Sequence, residues 1–187
     1  GLLSTIKAII LGMIQGLTEF LPVSSSGHLV LFRGLLDFQE GLLTFEILLH
    51  LATALSVIIV FWSDIKSLFK FREPSQRRFL LLLVASVVPT AVMCILFEDY
   101  VESLFSSPFL VGLMLIVTGF ILFSSSRFYK GNKDITNISF FDAVLIGIGQ
   151  GIAIIPGVSR SGMTIVTALS RRMDRELAAK YSFILSL

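Results

Sequence analysis

Nineteen consecutive residues, 79–97 (FLLLLVASVVPTAVMCILF), carry no charge, and residues 103–126 form a second uncharged run of 24. At about 1.5 Å of rise per residue, either run is long enough as a helix to cross a hydrocarbon core about 30 Å thick. A third stretch, 41–63, holds Glu46 as its single charged residue. Composition agrees: 55% of the 187 residues are hydrophobic, 17 are Phe and 15% are charged, too little polar surface to cover a water-soluble domain. The chain therefore reads as an all-α, multi-pass integral membrane protein. Its one cysteine, Cys94, lies inside a span, which excludes a disulfide framework and a thiolate metal site. A net charge of +2, split between loops, gives no basic surface for nucleic acid.

Loop charges predict the topology. Residues 64–78 hold five basic side chains (Lys66, Lys70, Arg72, Arg77, Arg78) against two acidic, and 98–102 hold Glu98, Asp99 and Glu102 with no base. Residues 127–142 hold three basic against two acidic, and 171–180 hold Arg171, Arg172, Arg175 and Lys180 against two. The positive-inside rule puts 64–78, 127–142 and 171–180 in the cytoplasm and 98–102 outside, with spans 41–63, 79–97 and 109–126 alternating between them. Residues 143–170 then begin and end on the cytoplasmic side, and the segment up to about residue 40 begins and ends outside. The chain starts at Gly1 and stops within an apolar stretch (YSFILSL). That predicts a fragment lacking C-terminal helices.

The same two segments are near copies of each other. Residues 15–28 read QGLTEFLPVSSSGH and residues 150–163 read QGIAIIPGVSRSGM, in register at an offset of 135 that also pairs Gly12 with Gly147. The uncharged runs 8–18 and 20–32 amount to only about 15–20 Å of helix each. Each copy is accordingly expected to be a re-entrant helix–loop–helix, entering from opposite faces. Pro22 and Pro156 break the first arm, and the serine cluster caps the second. The predicted organisation is one membrane domain, 1–187, with two inverted-topology repeats. Repeat one covers 1–97 with its hairpin at 4–36; repeat two covers 109–187, incomplete, with its hairpin at 141–172. Irregular backbone at membrane depth survives where it lines a polar cavity.

An ionisable side chain near the bilayer centre costs about 2.5–3.5 kcal/mol on insertion scales, so Glu19, His28 and Arg160 are candidates for function. If the tips meet, they bring together a carboxylate, an imidazole, a guanidinium and Ser24, Ser25, Ser26, Ser159 and Ser161. The second arms start at the serines, so their N-terminal N–H groups and positive dipole ends face the same space. Arg160 adds a planar fork that suits a phosphate. The expected ligand is phosphate or diphosphate, and Gln15 and Thr164 complete the predicted binding set. Glu19 suits a divalent cation, a general base or a structural ion pair with Arg160. His28 suits proton transfer, and at most one serine is a nucleophile. Glu46 and His50, i and i+4 on the third helix, face either the cavity or the outer headgroups. Trp62 and Tyr100 read as interfacial anchors.

EFLPVSSSGH (19–28) and PGVSRSGMT (156–164) closely resemble the two signature motifs of the undecaprenyl-diphosphate phosphatase, or bacitracin-resistance, family. The resemblance runs along the whole chain and includes TFE at 44–46 and FW at 61–62. It implies a multi-pass bacterial plasma-membrane enzyme that hydrolyses the C55 isoprenoid diphosphate to the monophosphate carrier of peptidoglycan synthesis. It also implies dependence on Mg²⁺ or Ca²⁺. Carried over by position, Glu19 and His28 match the family's acid and histidine, Ser25 its serine, and Arg160 its arginine. Gln15 departs from the pattern, because many members have a second glutamate there; a Gln can coordinate through its carbonyl but cannot act as a base. Lipid phosphatases of the acid-phosphatase class also need Lys-x6-Arg-Pro and His-x3-Asp, which this sequence lacks.

The expected cavity opens to the outer face. Two routes stay open: Ser25 attacks with His28 as base, or water attacks with Glu19 or His28 as base. Expected partners are the C55 diphosphate lipid, the bilayer and, with no sequence signal to fix it, a second copy of the chain as a homodimer. A polyprenyl-phosphate transporter with the same anion site is the competing class, since broken helices and inverted repeats belong to transporters as well.

Overall fold

A computed structural model describes residues 1–39, 42–70, 72–125 and 131–187. Gly41 of the predicted span 41–63, Ser126 at the end of the second run, and Arg127 and Lys130 of the basic loop lie outside the described residues. In chain order the helices are α1 (Leu2–Phe20), α2 (Ser25–Leu36), α3 (Leu42–Val60), α4 (Trp62–Leu68), α5 (Pro74–Phe105), α6 (Pro108–Ser125), α7 (Phe140–Ile152), α8 (Arg160–Ser170) and α9 (Arg175–Leu185). Helices α1, α5 and α6 are each long and apolar enough to cross a bilayer, and α3 with α4 makes a fourth such unit bent by 79°. The protein is a multi-pass helical membrane protein.

Two expectations change. The first arm is not too short to span: Lys7 and Glu19 interrupt the uncharged runs but not the helix, and α1 extends for 19 residues, about 28 Å. Residues 98–102 are not a loop, because α5 continues through them for 32 residues in all. Charge sets which side a segment faces; it does not by itself end a helix. Proline acts likewise by position. Pro74 opens α5 at its first turn, where its missing N–H costs nothing, while Pro89 lies within the same helix.

The larger core lies where α5, α7, α8 and α9 meet, around Phe79, Leu82, Ile146, Ala168 and Tyr181. Ser86 of α5 bonds both the Ala143 carbonyl and the Tyr181 hydroxyl at 2.7 Å, so the few polar groups there are paired, as burial demands. A smaller cluster, Leu11, Leu29 and Phe38, joins α1 to α2. Elsewhere the helices turn apolar side chains outward: Leu2, Ile6, Ile9, Met13 and Leu17 all lie exposed on α1. Such a face is stable against lipid tails and not against water. One end of the bundle gathers charge. Buried Asp142 pairs with Lys133 at 2.9 Å and Arg171 at 2.6 Å, Lys180 pairs with Asp64, and Arg78 donates to the Ile135 and Ile138 carbonyls. Segments 64–70, 72–78, 131–142 and 171–180 thus meet at a common end.

Candidate active site

Each repeated motif forms a break between two helices that pack on each other. Helix α1 stops at Phe20, and Leu21 is extended, as the residue before a proline prefers. Ser24 then caps α2, accepting the Gly27 N–H at 3.3 Å. In the second copy α7 ends at Ile152, and the chain turns through buried Pro156 and Gly157 before Ser159 caps α8, accepting the Gly162 N–H at 3.0 Å. Gly157 has φ 93°, and a Cβ there would lie 2.5 Å from the Val111 carbonyl oxygen, so no other residue fits. Thr118 of α6 locks this turn: its hydroxyl donates to the Gly157 carbonyl at 2.8 Å and accepts the Ser159 N–H at 3.2 Å.

The two breaks touch. The Ser161 hydroxyl donates to the Leu21 carbonyl at 3.3 Å, and Arg160 forms an ion pair with Glu19, 141 residues away in sequence. Between them lies a cavity of about 200 Å³, lined by Thr18, Glu19, His50, Arg160 and the serines 24, 25, 26, 159 and 161. It adjoins a second cavity of about 480 Å³ with mostly apolar walls, including Phe20, Ile47, Leu51, Ala54 and Val57. Glu19, with only 10% of its side chain exposed, is the hub. Its Oε1 accepts from Arg160; its Oε2 accepts from the Ser25 hydroxyl at 2.5 Å and from Gln15 Nε2 at 3.1 Å. Hydrogen bonds to a carboxylate are charge-assisted and stronger than neutral ones. The helix starts at Ser25 and Arg160 add partial positive charge. A multiply charged oxyanion is the ligand this arrangement favours.

Of the residues singled out by sequence, the cavity thus gathers Glu19, Ser24, Ser25, Ser26, Ser159, Arg160 and Ser161. Gln15 lies buried beneath it, bonded to Glu19 and to His50 Nδ1 at 3.2 Å. Two residues are not brought in. His28 turns back on its own helix, with Nδ1 2.8 Å from the Ser24 carbonyl, so the imidazole expected at the tip is absent from the lining. Thr164 is buried one turn into α8, its hydroxyl shared among Ser182 Oγ at 2.6 Å and the Arg160 and Ser161 carbonyls; it braces α8 against α9. Glu46 pairs with Arg33 elsewhere. Of the two places the sequence left open for His50, the structure has it in the cavity lining.

Among the described residues no three His, Cys, Asp or Glu side chains come together as a cation cage. One oxygen near Glu19 does lack a partner: Gln15 Oε1 is buried and unbonded.

The model of the family described as bacitracin resistance protein BacA matches residues 8–187. A curated relative from Halothermothrix orenii, named undecaprenyl-diphosphatase, is 47% identical over 96% of this chain and 69% of its own length. Relatives of the same name from Carboxydothermus hydrogenoformans and Methanosphaera stadtmanae are 45% and 39% identical, over 99% and 100% of this chain and 70% and 74% of their own lengths. The Glu19–Ser25–Arg160 cavity therefore belongs to a member of the bacitracin resistance protein BacA family.

Proposed function

We propose that this protein hydrolyses undecaprenyl diphosphate to undecaprenyl phosphate and inorganic phosphate. The observation that carries the reading is the meeting of Arg160, Glu19 and Ser25 in a polar cavity that continues into an apolar one. A lipid diphosphate has the same two-part chemistry. The relatives' shared name supports hydrolysis; nothing comparable supports the transporter reading.

In this scheme Arg160 swings from Glu19 to the terminal phosphate and, with the serine hydroxyls and the α2 and α8 N–H groups, holds its oxygens. Freed of that ion pair, Glu19 keeps its bond to Ser25 and is the base. Either Ser25 attacks phosphorus, gives its proton to Glu19 and expels the lipid monophosphate, and water then hydrolyses the phosphoserine to release phosphate, or a water attacks directly in its place. His28 as base has less support, since its ring is not among the residues that line the cavity. Catalysis is then chiefly positioning and charge stabilisation around a loose phosphoryl transition state. A divalent cation fits as one shared with substrate, because Mg²⁺ typically uses one or two protein oxygens plus phosphates. Glu19 would hold it, and it would neutralise phosphate charge.

The finer architecture belongs to the same proposal: two inverted repeats with re-entrant hairpins, and a cavity open to the outer face of the plasma membrane. The shared Ser-capped break supports the first.

The test is phosphate release from C55 diphosphate by detergent-solubilised protein. Wild type is expected to turn over, and Ser25→Ala to fall by at least about 10³-fold if the serine is the nucleophile. Residual turnover within tenfold of wild type would assign attack to water.

A further inference from the structure

Helix α3 contributes one titratable side chain to the site. His50 lines the polar cavity and the apolar one alike, and only Glu19 and Arg160 share that position among the described residues. It stands at the seam between the two. On the phosphatase reading, the terminal phosphate occupies the serine–arginine end and the isoprenoid the apolar end. The seam is then where the lipid-bound phosphate lies, and that phosphate is the leaving group.

The hydrogen-bond pattern fixes which proton His50 offers. Gln15 Nε2 has two hydrogens and two neighbours, Glu19 Oε2 at 3.1 Å and His50 Nδ1 at 3.2 Å. Reversing the amide would set its oxygen against a carboxylate that only accepts, so Glu19 dictates the orientation. His50 Nδ1 is thereby an acceptor, and the imidazole proton sits on Nε2. The ring is 51% exposed, and among the described residues Nε2–H meets no protein acceptor.

From this geometry we infer that His50 is a second substrate-facing group, whose Nε2–H donates to the lipid-bound phosphate and stabilises the leaving oxygen. The inference rests on the phosphatase reading. In the step it serves, the bond between the terminal phosphorus and the bridging oxygen breaks, and its electron pair stays on that oxygen, now part of the lipid monophosphate. The new bond forms from the nucleophile oxygen to phosphorus, and the nucleophile's proton goes to Glu19. His50 transfers no proton. It meets charge that grows as the bond breaks, and so favours the transition state over the ground state. Gln15, one layer behind, is a positioning residue that sets the tautomer.

The test compares His50→Ala, His50→Gln and His50→Asn on C55 and C15 isoprenyl diphosphates, with detergent gel filtration and melting to follow folding. A Gln amide N–H reaches about as far as Nε2; an Asn amide reaches only as far as Nδ1. The expected result is a kcat fall of roughly 10- to 100-fold in His50→Ala, the loss of one hydrogen bond to a charged oxygen. It should be equal for both chain lengths, with KM nearly unchanged and with rescue by Gln but not by Asn. Should His50→Ala fail to fold, the Gln and Asn pair carries the comparison. Equal activity of the Gln and Asn variants, or a defect confined to KM for the longer lipid, would make His50 a wall of the tail cavity and overturn the inference. Wild type without phosphate release overturns the phosphatase reading and this inference with it; active wild type with an unaffected His50→Ala overturns this inference alone.

Discussion

Gly12 and Gly147 hold equivalent positions in the two helix–break–helix segments, yet their surroundings differ. A Cβ on Gly12 would meet only Leu49 Cδ2, at an ordinary 3.7 Å; one on Gly147 would overlap the Ser86 carbonyl oxygen and lie 2.6 Å from Pro89. The difference continues along the motif. Gln15 bonds Glu19 and His50, whereas Gln150 donates to Thr90 of α5 at 3.1 Å. Position 19 holds the hub carboxylate and its equivalent, 154, an isoleucine. Buried residues on α1 are Leu11 and Gln15, while α7 buries seven, from Asp142 to Gly151. From one pattern, the first copy has kept its inner face for ionisable groups and the second has given most of its own to close packing against α5. The one charge the second copy offers to the cavity is Arg160, at the position equivalent to Ser25. The recurring motif thus supplies two caps and two helix starts, and the difference at one position sets a cation opposite a hydroxyl.

The hardest test of this division is Arg160→Ala. If the second copy contributes its guanidinium to substrate, phosphate release should fall by about 10²–10³-fold, or about 2.7–4 kcal/mol of transition-state binding, the range for removing one preorganised donor. Arg160→Lys keeps charge but loses the planar fork and should fall in between. Steady-state kinetics on C55 diphosphate measure both. Turnover of Arg160→Ala within fivefold of wild type would reduce the second copy to scaffolding.

The reverse test asks whether packing belongs to the second copy alone. Gly147→Ala drives a methyl into helix backbone, which cannot rotate away, and overpacking of this kind costs about 1–3 kcal/mol. Gly12→Ala meets only the flexible end of a leucine, and replacing a helical Gly by Ala gains up to about 1 kcal/mol in propensity. Melting of the two variants in detergent should therefore move in opposite directions. A common direction would mean that the repeats share their packing after all.

How much of this was legible in sequence depends on what the physics left in one dimension. The uncharged run behind α6 is readable because hydrocarbon admits almost nothing else. The pairing of Arg160 with Glu19 was legible through the fixed offset and the cost of burying charge, although nothing local links residues 141 apart. The acidic stretch 98–102 misled because charge marks a side and leaves the helix intact. Where the two histidine rings sit is a matter of packing and rotamer, which spacing does not record. His28 is nine residues from Glu19 on the motif itself, but its ring folds onto the carbonyl four residues back, and rotamer choice leaves no trace in spacing. His50 reaches the site because α3 packs on α1, a contact the motif does not encode.

The smallest expected effect separates the two caps. Ser24 and Ser159 make the same bond to the third N–H of their helices, at 3.3 and 3.0 Å. Yet Ser24 has φ 66°, while Ser159 has φ −76°. A left-handed serine is strained and a glycine is not. For Ser24→Gly the lost cap and the relieved backbone should nearly cancel, leaving stability within about 0.5 kcal/mol. Each serine also bonds the hydroxyl two residues on, at 3.3 Å, so that loss is common to both; Ser159→Gly relieves no backbone and enlarges the freedom of the unfolded chain, and should cost about 1 kcal/mol. Chemical or thermal melts of the pair would show the asymmetry, and equal losses would mean that the backbone at Ser24 stores no strain. Strain at that residue would match the first copy's part in the division: its turn is bent to hold Ser25 against Glu19, where the second copy's turn is clamped by Thr118 and rests in a relaxed conformation.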